Sequence, residues 1–229
     1  MNSMTSSPTS FADTIAADEI ELRPAFERWM ERVVRHPDRH LRLVNTLSML
    51  EHIGSAKIAR TQSGSAIDAE TLQHLAEETR HAQVLKKIAH GIDPDAAPDY
   101  ADEWLLAGPT ARGYFARLDV GVRSFVREFL AEEIRHRAAY LLVTWLVELR
   151  AAWLYPAYQS ALKGADLRFS VRAIIGEEER HLEEITEGME RLGIADHPEL
   201  LGLLRHESAL FARLATEVMA VAPVEEEYS

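Results

Sequence analysis

The 229-residue chain contains no cysteine. That excludes disulfides, thiolate zinc sites, iron–sulfur clusters and a cysteine nucleophile. Glycine and proline are scarce, at 11 and 9 residues, which disfavours an all-β fold and favours helices. Basic residues are outnumbered, 25 Lys and Arg against 37 Asp and Glu, for a formal net charge of -12. Nucleic acids and anionic membranes both attract basic faces, so neither is an expected partner. A long apolar run is also missing. The most apolar stretch, 138–158, is broken by Glu148 and Arg150 and falls short of the ~20 residues of a membrane helix. The opening MNSMTSSPTSFADTIAADE lacks the basic and apolar regions of a secretory signal and has no Arg for an organellar one, so the expected location is cytoplasmic. What remains is 47% apolar residues, enough for a sizeable core, together with ten His and many acids. Any metal must therefore be held by oxygen and nitrogen.

Periodicity and punctuation divide the chain into a mobile tail, 1–18, and one helical domain, 19–229. Helices are expected over 19–34, 39–60, 68–91, 166–192 and 198–220, with Asp68 or Ser65 capping the third and Gly91 and Gly193 ending two of them. The segment 92–118, with Pro94, Pro98 and Pro109, reads as a long connection. A helical pattern then runs over 121–163. Unbroken, it would span about 65 Å, so a break or kink is expected near 135–137 or at Pro156. Helices 39–60 and 68–91 share a short loop, and so do 121–163 and 166–192, which makes each pair an antiparallel hairpin.

The second helix of each hairpin carries a similar motif, Glu77-Glu78-Thr79-Arg80-His81 and Glu178-Glu179-Arg180-His181. Glu-x-x-His places a carboxylate and an imidazole on one helical face, one turn apart, where both can reach one metal ion. Charge density alone would produce some of these; a third, Glu133 to His136, is also present. The partner helices discriminate. Residues equidistant from a hairpin loop lie side by side, which sets Glu51 opposite Glu78 and Glu148 opposite Glu178. Glu148 has Leu141, Thr144, Trp145 and Tyr155 on its face, and Glu178 is flanked by Ile174, Ile175, Leu182 and Ile185. Lone carboxylates there would be costly to bury. Ser48, Gly54 and Ser55 near Glu51 leave room for an ion, and two divalent cations would balance four carboxylates.

With these residues the chain resembles the ferritin-like di-iron carboxylate superfamily, whose pattern is a Glu on each of two helices and Glu-x-x-His on each of the other two. The resemblance covers about 39–193. It implies an all-α, ferritin-like four-helix bundle with additional N- and C-terminal helices. It implies two iron ions, or an iron/manganese pair, held by Glu51, Glu78 and His81 in one half-site and Glu148, Glu178 and His181 in the other, with Glu78 and Glu178 bridging. The doubled Glu-x-x-His looks like the oxidase and oxygenase branch, which includes aldehyde-deformylating oxygenases, acyl-carrier-protein desaturases and the small subunit of ribonucleotide reductase. Rubrerythrins usually add a Glu on the third helix and a Cys-ligated iron; here Ala151 follows three after Glu148 and Cys is absent. The implied function is a non-haem di-iron oxidoreductase that activates dioxygen to oxidise a small organic substrate. It would need an external electron donor, and a homodimer is one assembly open to it.

Two alternatives stand beside it: a ferritin-like protein that oxidises iron or scavenges peroxide, and a metal-free helical interaction scaffold. His74, Thr144 and Tyr155 are candidates to surround the ligands. Without a metal, Glu148 would instead be a carboxylate paired with a nearby Arg. His136 precedes Glu148 by about 18 Å of straight helix, so Glu133 and His136 are expected on an ion-paired surface near Glu190 and Arg191 instead. The last, Leu-rich helix is expected to cover the bundle or form a dimer contact.

Overall fold

The computed structural model describes residues 19–62 and 67–223. These form seven α-helices: α1 (Leu22–Val33), α2 (Pro37–Thr61), α3 (Ala69–Ile92), α4 (Gly108–Phe129), α5 (Arg135–Gly164), α6 (Arg172–Arg191) and α7 (Leu200–Val221). No strand occurs among the described residues, and no helix among them is long and apolar enough to cross a membrane. The expected mobile tail, the alternative cap Ser65 and the acidic residues from 224 onward lie outside the described residues.

The two expected hairpins form, α2 with α3 and α5 with α6. Asp68 caps α3, accepting a hydrogen bond from the Thr71 N–H at 2.8 Å. Gly193 closes α6: at φ 71° it lets the Ile194 N–H bond Met189 O at 3.0 Å while its own N–H bonds Glu190 O. Gly91 plays no such part. α3 continues through Ile92, and Gly91 packs on the Phe169 ring, where a Cβ would stand 2.9 Å from Cε1. α6 starts at Arg172, later than expected, because the Gln159 side chain accepts the Val171 N–H at 2.8 Å and holds the preceding loop open.

Between the hairpins one sequence expectation fails and another is met a few residues early. The segment 92–118 is not all connection: from Gly108 it is helix α4, and Pro109 sits in the first turn, where its missing N–H costs nothing. The pattern over 121–163 is two helices, and the break comes at 130–134, just before the expected position. Leu130 and Ala131 are extended. The Arg135 guanidinium reaches back to bond Val126 O, Arg127 O and Leu130 O, satisfying the carbonyls that α4 leaves open. Pro156 does not break α5, which runs on to Gly164.

α5 is buried on nearly every side, packing against α6, α1 and α4, which is why its sequence shows little amphipathicity. α7 lies over α4 and α1 and so covers the core. Arg150 pins this arrangement. Its buried guanidinium bonds Glu19, ahead of α1, at 2.6 Å and Glu207 of α7 at 2.7 Å, and Tyr114 of α4 donates to Glu207 at 2.6 Å. Two residues from Glu148, Arg150 points to another side of α5, so it is not the carboxylate's counter-ion.

Candidate metal centre

α2, α3, α5 and α6 bring Glu51, Glu78, His81, Glu148, Glu178 and His181 to one point between the hairpins. His81 and His181 are 1% exposed and Glu148 and Glu178 2% exposed, so these are interior groups. His74 joins them. Expected to surround the ligands, with contact to substrate or metal as the alternative, it places Nε2 3.2 Å from Glu148 Oε1 and 3.4 Å from Glu78 Oε1. Potential ligand atoms fall into two sets, each within 4.8 Å of one another: His74, Glu78, Glu148 and His181, and Glu51, Glu78, His81 and Glu178. Glu78 belongs to both. Glu178 reaches two histidines, with Oε1 2.9 Å from His81 Nδ1 and Oε2 3.4 Å from His181 Nδ1. The division is thus not one hairpin per half: Glu178 of the second hairpin sits with Glu51 and His81 of the first.

The histidines are aimed. Glu177 of α6 takes the His81 Nε2–H at 2.7 Å and the Arg80 guanidinium at 2.7 Å. Glu77 of α3 takes the His181 Nε2–H at 2.8 Å and the Arg180 guanidinium at 2.6 Å. An ionised carboxylate only accepts, so each imidazole must donate from Nε2 and turn the Nδ1 lone pair to the cluster. This is how proteins hold metal-ligating histidines. His74 is tied through Nδ1 to the Tyr140 hydroxyl at 3.0 Å, which frees Nε2 for the carboxylates. Tyr155 donates to Glu51. Thr144 lines the cavity next to Glu148 without joining either set.

Electrostatically the cluster is under-compensated. Burial, then repulsion from Glu78 and Glu178, pushes the Glu51 carboxyl well above its ordinary range; burial and Glu178 do the same to Glu148. Glu178 is held low: burial would raise it, but contacts to Glu148, His181 and His81 outweigh that. Burial lowers His74, yet Glu78 and Tyr140 lift it to about 9. Four buried atoms of the cluster find no hydrogen-bond partner: His74 Nε2, Glu78 Oε1, His81 Nδ1 and Glu148 Oε2. Native interiors seldom leave such atoms unsatisfied unless an ion or water belongs there. Oxygen and imidazole donors in this number suit iron, manganese or zinc.

A cavity of about 160 Å³ opens beside the cluster. Its inner end is His74, Glu78 and Glu148, its walls include Phe115 and Val122 of α4 and Val143 and Val147 of α5, and its mouth carries Lys57, Asp119, Arg123 and His136. Gly54 keeps the wall next to Glu78 open, since a Cβ would stand 3.4 Å from Glu78 Oε2. His136 is therefore at the cavity mouth, not on the expected ion-paired surface; Arg191 pairs with Glu187 instead. Glu133 is exposed.

Sequence reasoning alone misses Glu77 and Glu177, although the repeated Glu-Glu-x-Arg-His contains both. The comparisons with known proteins add no relative: the chain matches no family model, no curated protein and no solved structure.

Proposed function

We propose that this chain is a ferritin-like di-iron oxidoreductase that uses dioxygen to oxidise a small organic substrate, with an external electron donor. The observation that carries the reading is the pair of buried ligand sets sharing Glu78, with an apolar cavity ending on one of them. Glu51, His81 and Glu178 would hold one ion, His74, Glu148 and His181 the other, and Glu78 both. When bound, the metal pair would supply the redox chemistry of dioxygen reduction.

The chain's own residues do the rest. Glu77 and Glu177 keep both histidines in the ligating tautomer. Tyr155 and Tyr140 orient Glu51 and His74. The apolar walls exclude water beside Glu148 and give an organic molecule a place to lie. Iron oxidation or peroxide removal would need no such apolar chamber, which favours the organic substrate over that alternative. A metal-free scaffold would leave four clustered carboxylates only partly offset by the histidines, with four buried polar atoms unsatisfied. A cytoplasmic location and a homodimer complete the proposal.

The test is metal analysis of protein from iron-supplemented cells, followed by dioxygen uptake by the reduced form. About two irons per chain and rapid uptake are expected. Glu148→Ala and His181→Ala should lose iron, whereas His136→Ala should keep it. Protein that retains no metal, and is unaffected by the first two substitutions, would refute the reading.

A further inference from the structure

The cavity mouth reverses the charge of the molecule. On a chain of net charge -12, it carries Lys57, Arg123 and His136 against a single acid, Asp119. Asp119 is already engaged by Lys57. Arg123 is exposed and has no ion pair with a carboxylate among the described residues. A shallow groove continues outward from the same mouth, sharing Arg123, His136 and Ala139 and adding Arg127 and Arg135; no carboxylate lines it. A cationic surplus thus stands at an entrance that leads to the cluster.

Size limits what can enter. A volume of about 160 Å³ is comparable to the roughly 150 Å³ apolar cavity that holds a benzene molecule, so the guest has about six carbon atoms inside the walls. Polarity fixes its direction. At the inner end an anionic group would meet two carboxylates, Glu78 and Glu148, against one imidazole, His74. At the mouth the same group meets a guanidinium, whose planar fork matches a carboxylate.

We infer that the cavity takes a small organic carboxylate, with its head group on Arg123 at the mouth and an apolar portion of about six carbons reaching toward His74 and Glu148. This rests on the oxidase reading for its consequence: the carboxylate would be the substrate, a C–H bond at the end remote from its head group giving way to C–OH, with one atom of dioxygen entering the product and the other leaving as water on two electrons and two protons from the external donor.

The experiment is calorimetric titration of the metal-free full chain with hexanoate, its neutral isostere hexanamide, and acetate. Hexanoate should bind at least about ten-fold tighter than hexanamide, as one charge-assisted contact allows, and acetate should bind least. Arg123→Gln should abolish the preference for hexanoate while leaving hexanamide affinity unchanged. Ala139→Phe, filling the passage, should abolish binding of both. Equal affinities for hexanoate and hexanamide, an unchanged preference in Arg123→Gln, or no hexanoate binding by folded protein would overturn the inference. In a second arm, manganese-loaded protein is studied by proton relaxation of hexanoate. Faster relaxation of the terminal methyl than of the C2 protons is expected, and the reverse order overturns the orientation. Metal content of that sample separates the two readings. If neither iron nor manganese is retained, the oxidase reading fails and calorimetry still decides the anion site; if metal is retained without hexanoate binding, only the inference fails.

Discussion

His81 of α3 donates its Nε2–H to Glu177 of α6 at 2.7 Å, and the pair is mirrored by His181 and Glu77 at 2.8 Å. Each hairpin therefore aims the other's histidine. Glu77 is also held strongly ionised: burial would raise its carboxyl, but His181 and Arg180 bring it down to about 2. Glu77→Gln or Glu177→Gln should weaken metal binding about 10- to 100-fold while preserving the fold. Competition titration against a chelator, alongside circular dichroism, measures both.

Glu78 and Glu51 should behave differently, because only Glu78 is common to both ligand sets. Glu78→Gln should bring metal content from about two ions per chain to well below one. Glu51→Gln should leave about one, since His74, Glu78, Glu148 and His181 stay intact. Equal losses in the two variants would contradict the partition.

Arg150 is the stability counterpart of the cluster. Arg150→Ala would leave Glu19 and Glu207 buried without a cation, a change that typically costs about 3–5 kcal/mol. For a chain of this size that lowers Tm by about 10 °C. Metal content should not change, because Arg150 faces away from the ligands. Replacing Arg150, Glu19 and Glu207 together with apolar residues should cost far less than the single substitution.

His40 gives a pH signature independent of the metal centre. It is buried against the Tyr158 hydroxyl at 2.7 Å, and burial pushes its imidazole down to about 4. Below the ordinary value of 6.5 the unfolded chain takes up a proton that the folded chain refuses. Stability is therefore complete above pH 6.5 and falls as pH drops to about 4, by about 3 kcal/mol. Urea denaturation across this range should show the loss, and His40→Gln, which can still bond Tyr158, should remove most of it.

Much of the site was legible because short hairpin loops make position arithmetic reliable. Counting outward from each loop paired Glu51 with Glu78 and Glu148 with Glu178, and all four meet. His74 was harder to place, because a histidine one turn from Glu78 suits a core as well as a ligand set. The allocation of Glu178 to the Glu51 side depends on how one hairpin sits against the other, which spacing within either hairpin does not encode. Glu77 and Glu177 were overlooked for a related reason. Each is offset about 100° from its neighbouring ligand, so it reaches across to the opposite helix and makes sense only once the two are side by side. α4 was misread where its proline lay. Pro109 starts a helix as readily as it ends one; the break in the 121–163 pattern was expected from its length, and it falls a few residues early, at 130–134, where the Arg135 guanidinium takes up the carbonyls that α4 leaves open.

Helix α4 contributes Phe115, Asp119, Val122 and Arg123 to the chamber and no member of either ligand set. Reactivity and selectivity are thus written on separable stretches of chain. Exchanging side chains along one face of α4 would retune which molecules are admitted while sparing the redox apparatus, making this helix the natural place for divergence, or for an engineer, to begin.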